Sequence, residues 1–157
     1  MAKMTIKGLD EYAKKLDRLG KQAPEISRKA VYAGASVVAD KMRENLEKNL
    51  RDPTYVGKNK SREYAVKQKE STGELSDSMG IAPITTDAQG NTNTKIGFEG
   101  YDKKGVPNAL KARSMESGTS VLRKRPFARP AVLETKEKAQ RDMGKVVDEE
   151  ISKIYAL

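Results

Sequence analysis

From Val31 to Leu50 an apolar residue recurs every three or four positions, through Ala35, Val38, Met42 and Leu46, and no other stretch constrains the fold as much. That spacing is the repeat of a helix with one buried face. Pro24 suits the first position of this helix, because its missing N–H is one that a helix start leaves unpaired anyway. Asp52-Pro53 ends it, since the residue before a proline is pushed out of the helical region. The spacing therefore predicts a helix over about 24–51, ~40 Å long at 1.5 Å per residue. Upstream, Leu9, Tyr12, Leu16 and Leu19 keep the same steps until Gly20 provides a stop, so a shorter helix is expected over about 8–19.

A third stripe follows Pro130. Ala131, Ala139, Met143, Val146, Val147, Ile151 and Ile154 make an apolar face over about 130–155, with acids and bases balanced on the other positions. Between the helical segments the periodicity changes. Met79 and Ile81 alternate with small or polar neighbours, Asp87-Ala88-Gln89-Gly90-Asn91 has turn chemistry, and Ile96 and Phe98 alternate again. Two antiparallel strands, about 78–85 and 93–99, account for this pattern. The expected fold class is α+β: long helices packed on a small, mainly antiparallel sheet, with two basic loop arms at 51–71 and 100–128. A length of 157 residues fits one domain over 1–157, burying roughly 70% of the surface its unfolded chain exposes.

Composition narrows the chemistry. The chain has no Cys, His or Trp. Disulfides, Cys/His zinc sites, thiolate nucleophiles and imidazole bases are therefore excluded. The remaining acids, Asp10-Glu11 and Asp148-Glu149-Glu150, lie on helices as solvated surface, so no catalytic residue, metal site or cofactor is expected. Gly97, Gly100 and Gly105 do not form a dinucleotide fingerprint, and no Gly-Lys-Ser/Thr run cradles phosphate. The longest weakly polar stretch, Ala30 to Ala39, is ten residues against the ~20 of a membrane span. No secretory signal is apparent at Met1 to Lys7, which places the chain in the cytoplasm when made.

The net charge of +9 is local. Lys58, Lys60, Arg62, Lys67 and Lys69 fill the first arm, and Lys103, Lys104, Lys111, Arg113, Arg123, Lys124, Arg125 and Arg129 fall in the stretch Gly100 to Arg129 against only Asp102 and Glu116. Clustered cations are the footprint of a polyanion or of an acidic protein surface. The aromatic interleaving of single-strand binders is missing, because only Phe98 and Tyr101 fall between Lys95 and Arg125. Two stretches are more specific. Thr72-Gly73-Glu74-Leu75-Ser76-Asp77-Ser78-Met79 leads into the first strand, and Glu116-Ser117-Gly118-Thr119 followed by Arg125-Pro126-Phe127-Ala128-Arg129-Pro130-Ala131 leads into the last helix. Gly73 and Gly118 permit turns that other residues resist, and the prolines stiffen the approach and place Phe127 as an apolar anchor. On structural grounds alone these residues make a rigid corner that docks the last helix against the sheet.

With these residues in this order the chain resembles the tail-component family of long-tailed bacteriophages. The resemblance rests on Gly8-Leu9-Asp10, the long helix after Pro24, Thr72 to Ser78, Glu116 to Thr119 and Arg125 to Ala131, and covers nearly the full chain. The chain departs from the family pattern in two places: the basic stretch Arg51 to Glu70 replaces a short Ala-Pro link, and Ser117 stands where an aromatic residue is common. The resemblance implies a non-enzymatic virion protein of the neck, a tail-completion or head–tail joining subunit. Such a subunit assembles as a ring, hexameric by expectation, between the head connector and the tail.

Its implied partners are copies of itself, head-completion or connector proteins, and tail-terminator or tail-tube proteins, with non-specific contact to channel DNA and no membrane. It would pass through the host cytoplasm during assembly. Interface candidates are Gly118, Thr119, Arg123, Lys124, Arg125, Pro126, Phe127 and Arg129, with Lys58, Lys60 and Arg62 of the first arm. The rival from another class is a basic nucleic-acid-binding protein using the loop Lys and Arg residues. A small basic ribonuclease using Lys, Arg and Tyr is the third.

Overall fold

The computed structural model describes residues 9–51, 73–120 and 122–156. Its order is α1 (Leu9–Arg51), α2 (Glu74–Asp77), β1 (Met79–Ile81), β2 (Thr85–Thr86), β3 (Thr92–Asn93), β4 (Ile96–Phe98), α3 (Asn108–Ser117) and α4 (Ala128–Ala156). The architecture is α+β, with long helices packed on a small antiparallel sheet. The first arm beyond Arg51, including Lys58, Lys60 and Arg62, and the helix-ending Asp52-Pro53 lie outside the described residues.

The two helices expected over 8–19 and 24–51 are one. α1 is a single helix of 43 residues with Pro24 inside it, roughly 65 Å long. Gly20 and Pro24 are four positions apart, so the proline both lacks the N–H that the Gly20 carbonyl would accept and crowds that carbonyl. Gly20 is exposed and open to solvent, which lets water satisfy the freed oxygen. Relative to Ala the two residues cost about 1 and about 3 kcal/mol of helix propensity. Packing on both sides of the break overrides them: Ile26 is buried two residues after Pro24, and upstream the Lys15 ammonium donates to the Tyr155 carbonyl at 3.0 Å.

α4 runs antiparallel to α1. Lys29 pairs with Glu150 at 2.9 Å, Gly34 meets Met143, and Lys41 pairs with Glu134 at 3.2 Å, in that order along the hairpin. The seam is narrow because small residues line it: Ala30, Gly34 and Ala39 on α1 and Ala131, Thr135 and Ala139 on α4 are all buried. A Cβ on Gly34 would stand 2.6 Å from the Met143 sulfur, so the missing side chain leaves the space that Met143 fills. Thr135 was absent from the expected stripe; its hydroxyl is buried because it donates to the Ala131 carbonyl at 2.7 Å within its own helix. Val31 and Ala35 are only half-buried, while Ile26, Ala30 and Gly34 are buried.

The strands form one hairpin in two pieces. β1 pairs with β4 in the register Met79↔Phe98, Gly80↔Gly97 and Ile81↔Ile96, and β2 pairs with β3 through Thr85↔Asn93 and Thr86↔Thr92. The register shifts by one residue between the pieces, a bulge at Ala82-Pro83-Ile84 where proline supplies no ladder donor. The turn is tied by Asp87, whose carboxylate accepts from the Gln89 and Asn91 N–H groups at 3.0 and 2.7 Å. The main core lies where this sheet, α2 and α3 meet the C-terminal half of α1 and the start of α4. It comprises Met42, Leu46, Leu75, Met79, Ala112, Phe127 and Ala131, with Val38, Ile96, Phe98 and Met115 packed against it.

Candidate functional site: the α3–α4 corner

The stretch 100–128, expected as a loop arm, contains the helix α3. Its only two acids organise it. Asp102 accepts from the Lys104 and Val106 N–H groups, both at 2.8 Å, and from the Lys111 ammonium of α3, which closes the turn onto the helix. Its carboxyl is lowered to about 2, chiefly by the Lys111 hydrogen bond and then by the Val106 N–H. Lys103 of the same turn reaches back to Glu74 of α2 at 3.3 Å.

Glu116, near the end of α3, caps α4 from outside that helix. Its carboxylate accepts from the backbone N–H groups of Phe127, Ala128 and Arg129 at 2.7, 2.9 and 3.1 Å. These are donors that a helix start leaves orphaned, and a negative charge there also meets the positive end of the helix dipole. Burial pushes the Glu116 carboxyl up, but the three N–H donors and the nearby Arg129 charge outweigh it and the net shift is downward. α4 accordingly begins at Ala128, two residues before Pro130. The proline sits in the first turn, where no intrahelical donor is needed.

α1 holds the other side of the corner. Asn45 donates to the Phe127 carbonyl at 3.3 Å, Asn49 donates to the Arg125 carbonyl at 3.1 Å, and the Arg125 guanidinium donates to the Asn49 carbonyl at 3.0 Å. The Arg125 N–H donates to the Met115 carbonyl at 2.7 Å. Gly118 ends α3 at φ +75°, and a Cβ there would lie 2.9 Å from the Lys124 backbone nitrogen, so the turn closes only around glycine. Thr119 then ties the loop, accepting from the Leu122 N–H at 2.9 Å and donating its own N–H to the Leu122 carbonyl at 3.0 Å.

Of the expected interface residues, the structure turns Phe127 inward. It is 2% exposed and meets Phe98 edge to face, with ring centroids 5.8 Å apart. Arg125 is half-buried and bound to α1, and Gly118 is half-buried in its turn. Thr119, Arg123, Lys124, Pro126 and Arg129 remain exposed on the outer side of the corner. The residues that hold the corner but were not among the interface candidates are Glu116, Asn45 and Asn49. Their signals were an acid surviving in a basic stretch and two amides four positions apart beside the Met42–Leu46–Leu50 stripe.

Elsewhere an open polar groove of about 290 Å³ lies between α1 and β1, lined by Tyr32, Ser36, Asp40, Arg43, Gly80 and Ile81. Among the described residues no group of acids is placed to hold a metal ion, and no helix is long and apolar enough to cross a membrane.

The motifs thus come together in one corner, with Arg123, Lys124 and Arg129 exposed on it, carried on the long helical hairpin of an α+β protein. Residues 10–118 match the family model described as "Bacteriophage HK97-gp10, putative tail-component". The chain belongs to this family of phage tail components and is a structural protein of the virion. None of the curated proteins and none of the solved structures compared matches it.

Proposed function

We propose that this tail component is a tail-completion subunit that joins head to tail, working as a ring of copies, six by expectation, in the virion neck between the head connector and the tail. The observation that carries this reading is the corner itself. Glu116, Asn45, Asn49 and Arg125 fix residues 125–129 between α1 and α3 and leave Arg123, Lys124, Pro126 and Arg129 exposed. A joining subunit needs a contact surface whose shape does not change between free and assembled states, because ordering it on assembly would weaken each contact. The exposed cations fit acidic faces of a connector or tail-terminator protein, and non-specific contact with DNA in the channel, better than an apolar partner. The basic first arm, with Lys58, Lys60 and Arg62, would add a second contact of the same sign.

The test is a clean deletion in the phage. Filled heads and complete tails that accumulate unjoined, and that join when wild-type protein is supplied, are the expected result. Normally joined virions from the deletion would refute the reading. Charge reversal at Arg123 and Lys124 should reduce joining while leaving the purified protein folded.

A further inference from the structure

α1 is supported unevenly along its length. From Asp10 to Glu25 no residue is buried, and only Lys15 and Leu19 are half-buried, whereas Ile26, Ala30, Gly34, Ala39, Met42 and Leu46 beyond them are all buried. The change coincides with the end of its partner. Ala156 lies six residues past Glu150 and thirteen past Met143, so in the antiparallel register set by the Lys29–Glu150 and Gly34–Met143 contacts it stands level with about residues 21–23 of α1. Gly20 and Pro24 bracket that level. Pro24 leaves the Gly20 carbonyl without its helical donor, and glycine gives this turn the widest backbone freedom. No packing need explains the glycine, because a Cβ there would meet nothing within 4 Å. Past the break Lys15 ties the overhang to α4: its ammonium donates to the Tyr155 carbonyl at 3.0 Å and stands 5.9 Å from the centroid of the Tyr155 ring. That carbonyl is among the last four of α4, which have no donor within their own helix, so the cation also meets the negative end of the helix dipole.

We infer that Gly20–Pro24 is a hinge in α1, about which the first turns swing against the end of α4, and that Lys15 is the latch that holds the closed position. Downstream of the break, burial keeps α1 in place. Upstream, the Lys15 contact is exposed, and a hydrogen bond at the surface exchanges readily for one to water. When the latch opens, the tip has no buried side chain to hold its direction, and it turns at the residues that most easily absorb a change in φ and ψ. The two ends of the hairpin therefore differ: the corner is held between α1 and α3, while the tip, with Tyr12 and Leu16 exposed, changes direction. The hinge does not depend on the ring reading.

Because the chain has no cysteine, introduced thiols carry spin labels at chosen positions only. Electron–electron distance measurement on the purified full chain compares two label pairs. Lys14→Cys with Glu149→Cys spans the break, Arg28→Cys with Lys138→Cys lies within the packed hairpin, and all four positions are exposed. A single narrow distance is expected for the second pair, and a main distance with a second, longer component for the first. Lys15→Met should raise the longer component several-fold. Gly20→Ala together with Pro24→Ala should narrow the first pair to one distance, even with Lys15→Met present. A narrow first-pair distance that Lys15→Met leaves unchanged overturns the hinge. So does a first-pair distribution that stays broad when residues 20 and 24 are both alanine, or equal breadth in the two pairs, since the motion would then lie elsewhere in the hairpin.

Discussion

Removing the Glu116 cap is the sharpest test of how the corner is held. Three backbone donors converge on this one carboxylate at 2.7–3.1 Å. Hydrogen bonds to a charged acceptor contribute about 1.5–3 kcal/mol net, neutral ones about 0.5–1.5. The three share two oxygens, and Glu116 is only partly buried, so they do not sum and water recovers part of the loss. Glu116→Gln removes the charge and turns an amide N–H toward another donor, an expected cost of about 1.5–3 kcal/mol. Glu116→Ala should cost about 2–4 kcal/mol, within the range for loss of a cap together with its dipole interaction.

Urea unfolding followed by far-ultraviolet circular dichroism measures both variants. The pH dependence supplies an independent check. The folded carboxyl titrates below its unfolded value, so its contribution is complete above the ordinary carboxylate range near pH ~4.3 and is lost as pH falls through the lowered folded value. The gap between wild type and Glu116→Gln should therefore be widest at neutral pH and narrow below about pH 4. A Gln variant within about 0.5 kcal/mol of wild type at pH 7, or a gap unchanged between pH 7 and pH 3, would refute the capping argument.

The remaining predictions concern the turns and the long helix. Pro24→Ala should raise helicity and stabilise by about 2 kcal/mol, the propensity gain of about 3 less the entropy returned to the unfolded chain; a fall in melting temperature would show that the proline shapes α1 favourably. Gly118→Ala should cost about 2–4 kcal/mol, because the left-handed backbone and the nearby Lys124 and Leu122 backbone atoms both resist a Cβ, and unchanged thermal stability would contradict this. Asp102→Asn should remove an acid-sensitive step: the wild-type contribution is whole above the unfolded value near ~3.9 and disappears as pH falls through about 2, whereas the variant should lack that dependence in acid titration of the fold. Phe127→Ala should destabilise by about 3–5 kcal/mol, and a well-folded variant defective only in assembly would return Phe127 to the interface.

The long helices and the paired strands were legible because helix and strand periodicity are properties of neighbouring residues. The corner was legible as a motif, and Gly118 and the prolines pointed to its stiffness. The inward position of Phe127 was not, since an aromatic residue between two prolines in a basic stretch looks the same whether it meets Phe98 or a partner protein. Glu116 was visible only as an acid among bases: its donors follow it by eleven to thirteen residues, and no local spacing links them.

By itself, then, the sequence determined an α+β chain with apolar stripes, a Pro/Gly-stiffened corner and local positive charge, and it excluded Cys and His chemistry. Only the tertiary structure decided that α1 is unbroken through Gly20 and Pro24, that α3 lies within the second arm, and which cations face outward. Each of those outcomes depends on contacts between segments far apart in the chain. α4 packed along α1 outweighs a local helix-breaking preference of a few kcal/mol, and a carboxylate fixed by one helix becomes the cap of another.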